Sequence, residues 1–575
     1  MSGNRAEGED SESRARTRWV RPVALVFVLL VYAWLQWADL GHPLFWQDEG
    51  ETAMLGQRVL EYGYPRVQGD TGVVYGVGVP MRDAVDAETG AYLGSFWGQY
   101  YLAALGVALS EGATDPYVRT AWVRAPFVLA GLLGLVLLWW AVQPALAGRP
   151  GARLEGAILF GVLLCLSVSL MLHLREARYY GPVLGLVGAG VALQMRFWGG
   201  EGVRGLGGTL GFAALSLVVL LLLLNFFFPA ALAMAGWWTV EWLWTHVRDR
   251  RGLDSLFRTG WPLGLVLLLW GLAGLFLMQA FGMTQTAGIL SDRWDFGFAV
   301  YRENLAHLLF YLARYEWLIP CLLAEFGLMM LGGPTQDRTS EESGLEATRS
   351  RLYRLCLIYA LIGAANPIFF ERYFVPLGPI LAVVLVLDVE VLRRRITRPE
   401  SADERKRSGW LGAGALVFFF LFLLWVRGPE VSGRMAEIRD PVEGPVDASI
   451  LFVSAGWSDP SSLTIATNYE TEPFMFYLGS RVVGRFHEGS SEYEGKVTPD
   501  LVIPRMTQPR SLQAVRRYLL EGEFKRHELN VADTQYNNIP ELYSGRVLST
   551  VHRFETLQPG EGAPPLAIYE RVDQP

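Results

Sequence analysis

No lysine occurs before Lys406 in this chain of 575 residues, only three cysteines are present, and charged residues make up just 19% of it. Each scarcity excludes something. Cys165, Cys321 and Cys356 all lie in apolar stretches, where a thiol is a small core residue, so neither a disulfide framework nor a cysteine metal site is expected. The formal charge of −7 comes from 57 acids against 50 bases gathered in separate blocks, and a nucleic-acid partner is disfavoured. No Asp-x-Asp pattern is present, and adjacent acids on a helix project about 100° apart, so no metal and no other cofactor is expected to be required. The first apolar segment lacks an A-x-A cleavage site and reads as a retained span.

Apolar residues are abundant. They make up 51% of the chain, mean hydropathy is +0.24, and runs such as 210–228 recur along most of the length. A spanning helix needs about 20 mainly apolar residues. Eleven segments qualify on this reading: 22–40, 121–143, 154–172, 181–198, 206–224, 226–244, 262–281, 316–331, 353–370, 375–391 and 410–426. The expected fold is therefore a polytopic α-helical membrane protein. The stretch 92–109 is apolar too, but it carries Ser95 and Gln99, and counting it as a span would put the last three basic loops outside. Read instead as a surface helix, it leaves the arginines of the N-terminal tail, Arg149 and Arg153, Arg248 to Arg258, Arg349 to Arg354, and Arg393 to Arg407 on one side, which the positive-inside rule makes the cytoplasm.

The organisation that follows is a cytoplasmic tail over 1–21, a membrane domain over 22–427 with a long first outer loop at 41–119, and an extracytoplasmic α/β domain over 428–575. In that last domain the composition predicts strands at 450–454, 463–468, 501–503 and 566–571 and a helix at 511–521.

Ionisable residues then gather on the outer face. Asp48, Glu49 and Glu51 follow the first span; alone, acids in that position also suit a helix N-terminus. A short outer loop carries His173, Arg175, Glu176 and Arg178 before Tyr179 and Tyr180, and a third turn reads Glu371-Arg372-Tyr373-Phe374-Val375-Pro376. Snorkelling at the interface explains any one of them. Three on one face point to a wet, charged cavity.

The acid pair after the first span, the long first loop, Arg175-Glu176-Ala177-Arg178-Tyr179-Tyr180 and Glu371-Arg372-Tyr373 together resemble the GT-C glycosyltransferases of family 39 type, which include protein O-mannosyltransferases and lipid A aminoarabinose transferases. The resemblance covers about 22–427. It implies the GT-C architecture in the cell (inner) membrane and transfer of a sugar, with inversion, from a polyprenyl-phosphate carrier to an acceptor whose identity, whether protein, lipid or glycan, stays open. It also implies Asp48 as the catalytic residue with Glu49 beside it, and Arg178, Arg372 and Tyr373 as the phosphate grip, with Glu176 as a further site residue. In the aminoarabinose transferases a Lys-Pro in the first loop contacts phosphate; this chain has Pro80-Met81-Arg82 there, making Arg82 the candidate substitute. The alternative is a transporter or flippase of a lipid-linked sugar, but paired halves with matching broken spans are missing.

Overall fold

The computed structural model describes residues 4–67, 85–86, 88–93, 95–149, 151–198, 206–248, 253–282, 297–330, 340–366, 369–396, 402–440, 443–484, 497–506, 512–533, 559–560 and 564–572. The helical part comprises α1 (Asn4–Trp37), α2 (Gln47–Tyr62), α3 (Gly98–Leu109), α4 (Pro116–Val142), α5 (Ala152–Cys165), α6 (Val168–His173), α7 (Tyr180–Leu193), α8 (Leu206–Phe226), α9 (Phe228–Arg248) and α10 (Leu253–Ala280). It continues through α11 (Phe298–Tyr315), α12 (Leu318–Met330), α13 (Ser340–Ala364), α14 (Leu377–Ile396) and α15 (Ala402–Arg439). Each of the eleven apolar segments contains a helix. Among the described residues, three helical stretches are long and apolar enough to cross a membrane by length and composition: Pro116–Leu146, Gly207–Phe226 and Trp261–Ala280. Phe27, Leu30, Leu275 and Phe276 are 64–71% exposed, a pattern stable in lipid and costly in water. The protein is a helical membrane protein.

Several local expectations are corrected. The segment 154–172 is not one helix. It breaks between α5 and α6, where Ser167 accepts from the Leu170 N–H at 3.4 Å and restarts the chain as an N-cap. Helix α11 lies outside the eleven segments because Arg302, Glu303 and Arg314 interrupt its apolar pattern. A helix forms within 92–109 as α3. It packs on α2 so closely that a Cβ at Gly56 would lie 2.8 Å from Ala103 Cβ.

Helices α4 and α7 approach through small residues. A Cβ built at Gly181 would meet the Phe127 carbonyl oxygen at 2.2 Å, and one at Gly134 would meet that of Leu184 at 2.4 Å, so only glycine permits this separation. That contact anchors the loop 174–179 directly against α4.

Helix α15 runs unbroken past Gly428, where composition had placed the domain boundary, and ends at Arg439. Beyond it stand α16 (Pro445–Gly456), α17 (Thr471–Leu478), α18 (Leu512–Tyr518) and five strands: β1 (Thr464–Thr467), β2 (Arg481–Val483), β3 (Leu501–Ile503), β4 (Phe524–Ala532) and β5 (Pro565–Arg571). The expected strand at 450–454 is instead part of α16, whose Pro445 occupies the first turn with Asp447 close behind. The sheet order is β2-β1-β3-β5-β4, with β1 parallel to β2 and β3, and β5 antiparallel to β3 and β4. This module is seated on α2 and α3. Phe45, Met54 and Tyr100 share one buried apolar core with Ile465, Phe474 and Phe476.

Candidate active site

Asp48 sits in the first turn of α2 with its side chain 32% exposed. The start of α2 is held from four directions. Thr52 donates its hydroxyl to the Asp48 carbonyl at 2.9 Å, and Arg178 Nη1 donates to the same carbonyl at 3.0 Å and to Thr52 Oγ1 at 3.1 Å. The C-terminal module closes from above. Gln47 donates to Glu472, and a Cβ at Gly50 would lie 2.6 Å from Pro473 Cδ. Tyr477 and Asp447 accept from the Phe45 and Leu44 N–H groups at 3.1 and 3.0 Å.

Two guanidinium groups from separate turns converge on Asp48. Arg178 Nη2 and Arg372 Nη2 each lie 3.5 Å from Asp48 Oδ2, although they are 130 and 324 positions away in the chain. Both arginines are braced by aromatic faces: Arg178 lies 5.4 Å over Tyr179, and Arg372 lies 5.1 Å over Trp46 and 4.3 Å over Phe370. Tyr373 packs beside them, 6.2 Å from Tyr179 and 5.0 Å from Phe227 between ring centroids. Asp48, Arg178, Arg372 and Tyr373 thus form one cluster. Two planar forks flanking a carboxylate make a site for an anion as large as a phosphate, with an acceptor of protons beside it.

Glu49 points elsewhere. Neighbouring residues on a helix diverge, and this carboxylate is fully buried, taking hydrogen bonds from Arg124 Nε at 2.8 Å, Arg124 Nη2 at 2.7 Å and the Ala177 N–H at 2.7 Å. Burial pushes the Glu49 carboxyl up, while Arg124 and the Ala177 N–H pull it back. Arg124 also donates to the Leu40 carbonyl at 2.9 Å. This ion pair ties α2, α4 and the loop 174–179 together.

Glu176 faces away from bulk water as well, 2.8 Å from His173 Nδ1, and both side chains are buried. Its Oε2, His173 Nε2 and Tyr180 Oη are buried without a hydrogen-bond partner among the described residues. Glu371, next to Arg372, is buried too, and burial pushes its carboxyl up to about 8. Arg82 lies outside the described residues. Among the described residues no three His, Cys, Asp or Glu side chains gather to hold a metal ion.

Reading the sequence missed three contributors. Arg124 is the one charge in the apolar run 121–143, and a charge inside a span is itself a signal. Tyr469 and Glu472 of the C-terminal module carry no such signal. Burial pushes the Tyr469 phenol up and the Asp48 charge adds to it, which places Tyr469 within electrostatic reach of the cluster.

No protein-family model and no curated protein matches the chain. Solved structures do. The chain is similar to ArnT from Cupriavidus metallidurans bound to undecaprenyl phosphate, at 14% identity and a TM-score of 0.49 over 81% of this chain and 86% of that one. The apo state of the same protein gives 14% identity and a TM-score of 0.45 over 82% and 86%. The oligosaccharyltransferase of Archaeoglobus fulgidus in complex with Zn and sulfate gives 12% and 0.39 over 80% of this chain and 62% of that one.

Proposed function

We propose that this protein is a GT-C membrane glycosyltransferase that moves a sugar, with inversion, from a polyprenyl-phosphate donor to an acceptor at the outer face of the cell membrane. The observation that carries the reading is the convergence of Arg178 and Arg372 on Asp48 Oδ2, at 3.5 Å each. In this account the donor phosphate takes over the pairing that the two arginines make with Asp48. The acceptor hydroxyl or amine attacks the anomeric carbon from the side opposite the phosphate, Asp48 takes its proton, and the bond from anomeric carbon to phosphate oxygen breaks. The departing polyprenyl phosphate keeps the electron pair, and Arg178 and Arg372, with the Tyr373 hydroxyl, stabilise its charge. A phosphate leaves readily, so the demand on the protein falls on the base and on anion stabilisation. Glu49, paired with Arg124, anchors the turn of α2 that carries Asp48, and Glu176, two positions before Arg178, pairs with His173.

The orientation belongs to the same reading: eleven spans, a cytoplasmic N-terminus, and an outer C-terminal module over the site. The resemblance of the loops around Asp48, Arg178 and Arg372 to family 39 enzymes supports it. A transporter is the competing activity, and the two separate on one product. Membranes holding the protein and a radiolabelled lipid-linked sugar pool should release polyprenyl phosphate in an acceptor-dependent manner. Movement of intact lipid-linked sugar without release of the carrier would establish transport instead.

A further inference from the structure

The arginine-rich end of the helical domain holds a cavity of about 290 Å³ that the proposed reaction does not use. Its size is near the lower bound of small-ligand sites. Its lining is divided. Leu146, Leu159 and Val386 make an apolar end, and the other end is ionic. Arg149 Nη2 lies 2.5 Å from Glu155 and 3.1 Å from Glu390; Arg21 and Arg393 approach Glu155 at 3.0 and 2.7 Å, and Arg394 approaches Glu390 at 2.9 Å. Arg149, Arg393, Glu155 and Glu390 line this end, while Arg21 and Arg394 join the same ion-pair network from outside the lining, so among the described residues four guanidiniums share two carboxylates. Arg394 Nη2 is buried without a hydrogen-bond partner among the described residues.

The position of the cavity follows from one helix. The span Pro116–Leu146 carries Arg124, the partner of Glu49 next to Asp48, and Leu146 in the cavity wall. At about 1.5 Å per residue these two lie about 33 Å apart along the axis, close to the thickness of a bilayer's hydrocarbon core. The cavity therefore sits at the opposite membrane boundary from Asp48.

We propose that it binds an anionic glycerophospholipid, with the phosphate against Arg149 and Arg393 and the first acyl carbons against Leu146, Leu159 and Val386. A zwitterionic headgroup would bring an ammonium against an ion-pair network in which four arginines already outnumber two glutamates. Free phosphate matches the charge but leaves the apolar end unfilled.

The test uses the full chain in detergent. Native mass spectrometry compares dioleoyl phosphatidylglycerol with dioleoyl phosphatidylcholine, and thermal unfolding compares phosphatidylglycerol with inorganic phosphate. The expectation is on the order of tenfold tighter binding of phosphatidylglycerol, with no stabilisation by inorganic phosphate. The preference should collapse both in Arg149→Gln/Arg393→Gln and in Val389→Phe, which fills the cavity while leaving every charge in place. Equal binding of the two lipids, or a preference unchanged in Val389→Phe, overturns the proposal even if the double variant does not fold. Stabilisation by inorganic phosphate equal to that by phosphatidylglycerol replaces the lipid with a free anion and overturns it too.

Discussion

At the scale of single residues, the site divides side chains that meet charge from side chains that hold the frame. Arg178 and Arg372 belong to the first kind in this account. Each Arg→Lys change keeps the charge and loses the planar fork, so the donor concentration needed for half-maximal rate should rise on the order of tenfold in a detergent assay with saturating acceptor. Wild-type kinetics for both would reduce them to anchors of helix ends. Glu371 is the second kind of case. Its carboxyl is ordinarily at 4.5 and burial raises it to about 8, so the folded chain binds the extra proton and stability declines as pH rises from about 4.5 to about 8, then levels. Thermal unfolding across that range should show the decline, and Glu371→Gln should flatten it. That Asp48, Arg178 and Arg372 stand together was suggested by the sequence, because ionisable residues beside apolar spans are costly without a partner. Arg124 was equally charged, but its partner Glu49 lies 75 positions earlier in the chain, a distance that pattern alone does not bridge.

At the scale of elements, the frame depends on close approach and on one buried ion pair. Gly181 lets α7 meet α4; valine there would drive its Cβ into the Phe127 carbonyl oxygen, 2.2 Å away. The expected cost is about 1–3 kcal/mol of overpacking, read as a lowered unfolding temperature together with lost turnover. Arg124→Gln leaves Glu49 buried beside a neutral partner, with an expected cost of about 3–5 kcal/mol. Replacing Glu49 at the same time should recover part of it, measured as a double-mutant cycle. The periodicity of apolar residues located helices well and their breaks poorly. Ser167 splits 154–172 through a local cap that a window of mean hydropathy averages away. The run at 450–454 reads as a strand because it is β-branched and aromatic, whereas Pro445 and Asp447 begin a helix there.

For the whole molecule, the start of α2, two further turns and a C-terminal module meet around one carboxylate. The clustering of arginines in separate loops assigns the helical part an orientation, with those loops cytoplasmic, and that assignment is what topology reporters test. The seating of the C-terminal module on α2, through Glu472, Pro473 and Tyr477, was not legible, since a soluble module's docking face looks like any other half-buried surface. Reporter fusions after Arg395 and at Pro575 should read cytoplasmic and outer respectively; a cytoplasmic Pro575 would remove the module from the site's side of the membrane. The most direct test of the central claim is Asp48→Asn in purified protein, with donor binding and carrier release measured on the same sample. The account predicts binding retained and release reduced on the order of 100-fold or more. Near-normal release by Asp48→Asn would contradict it.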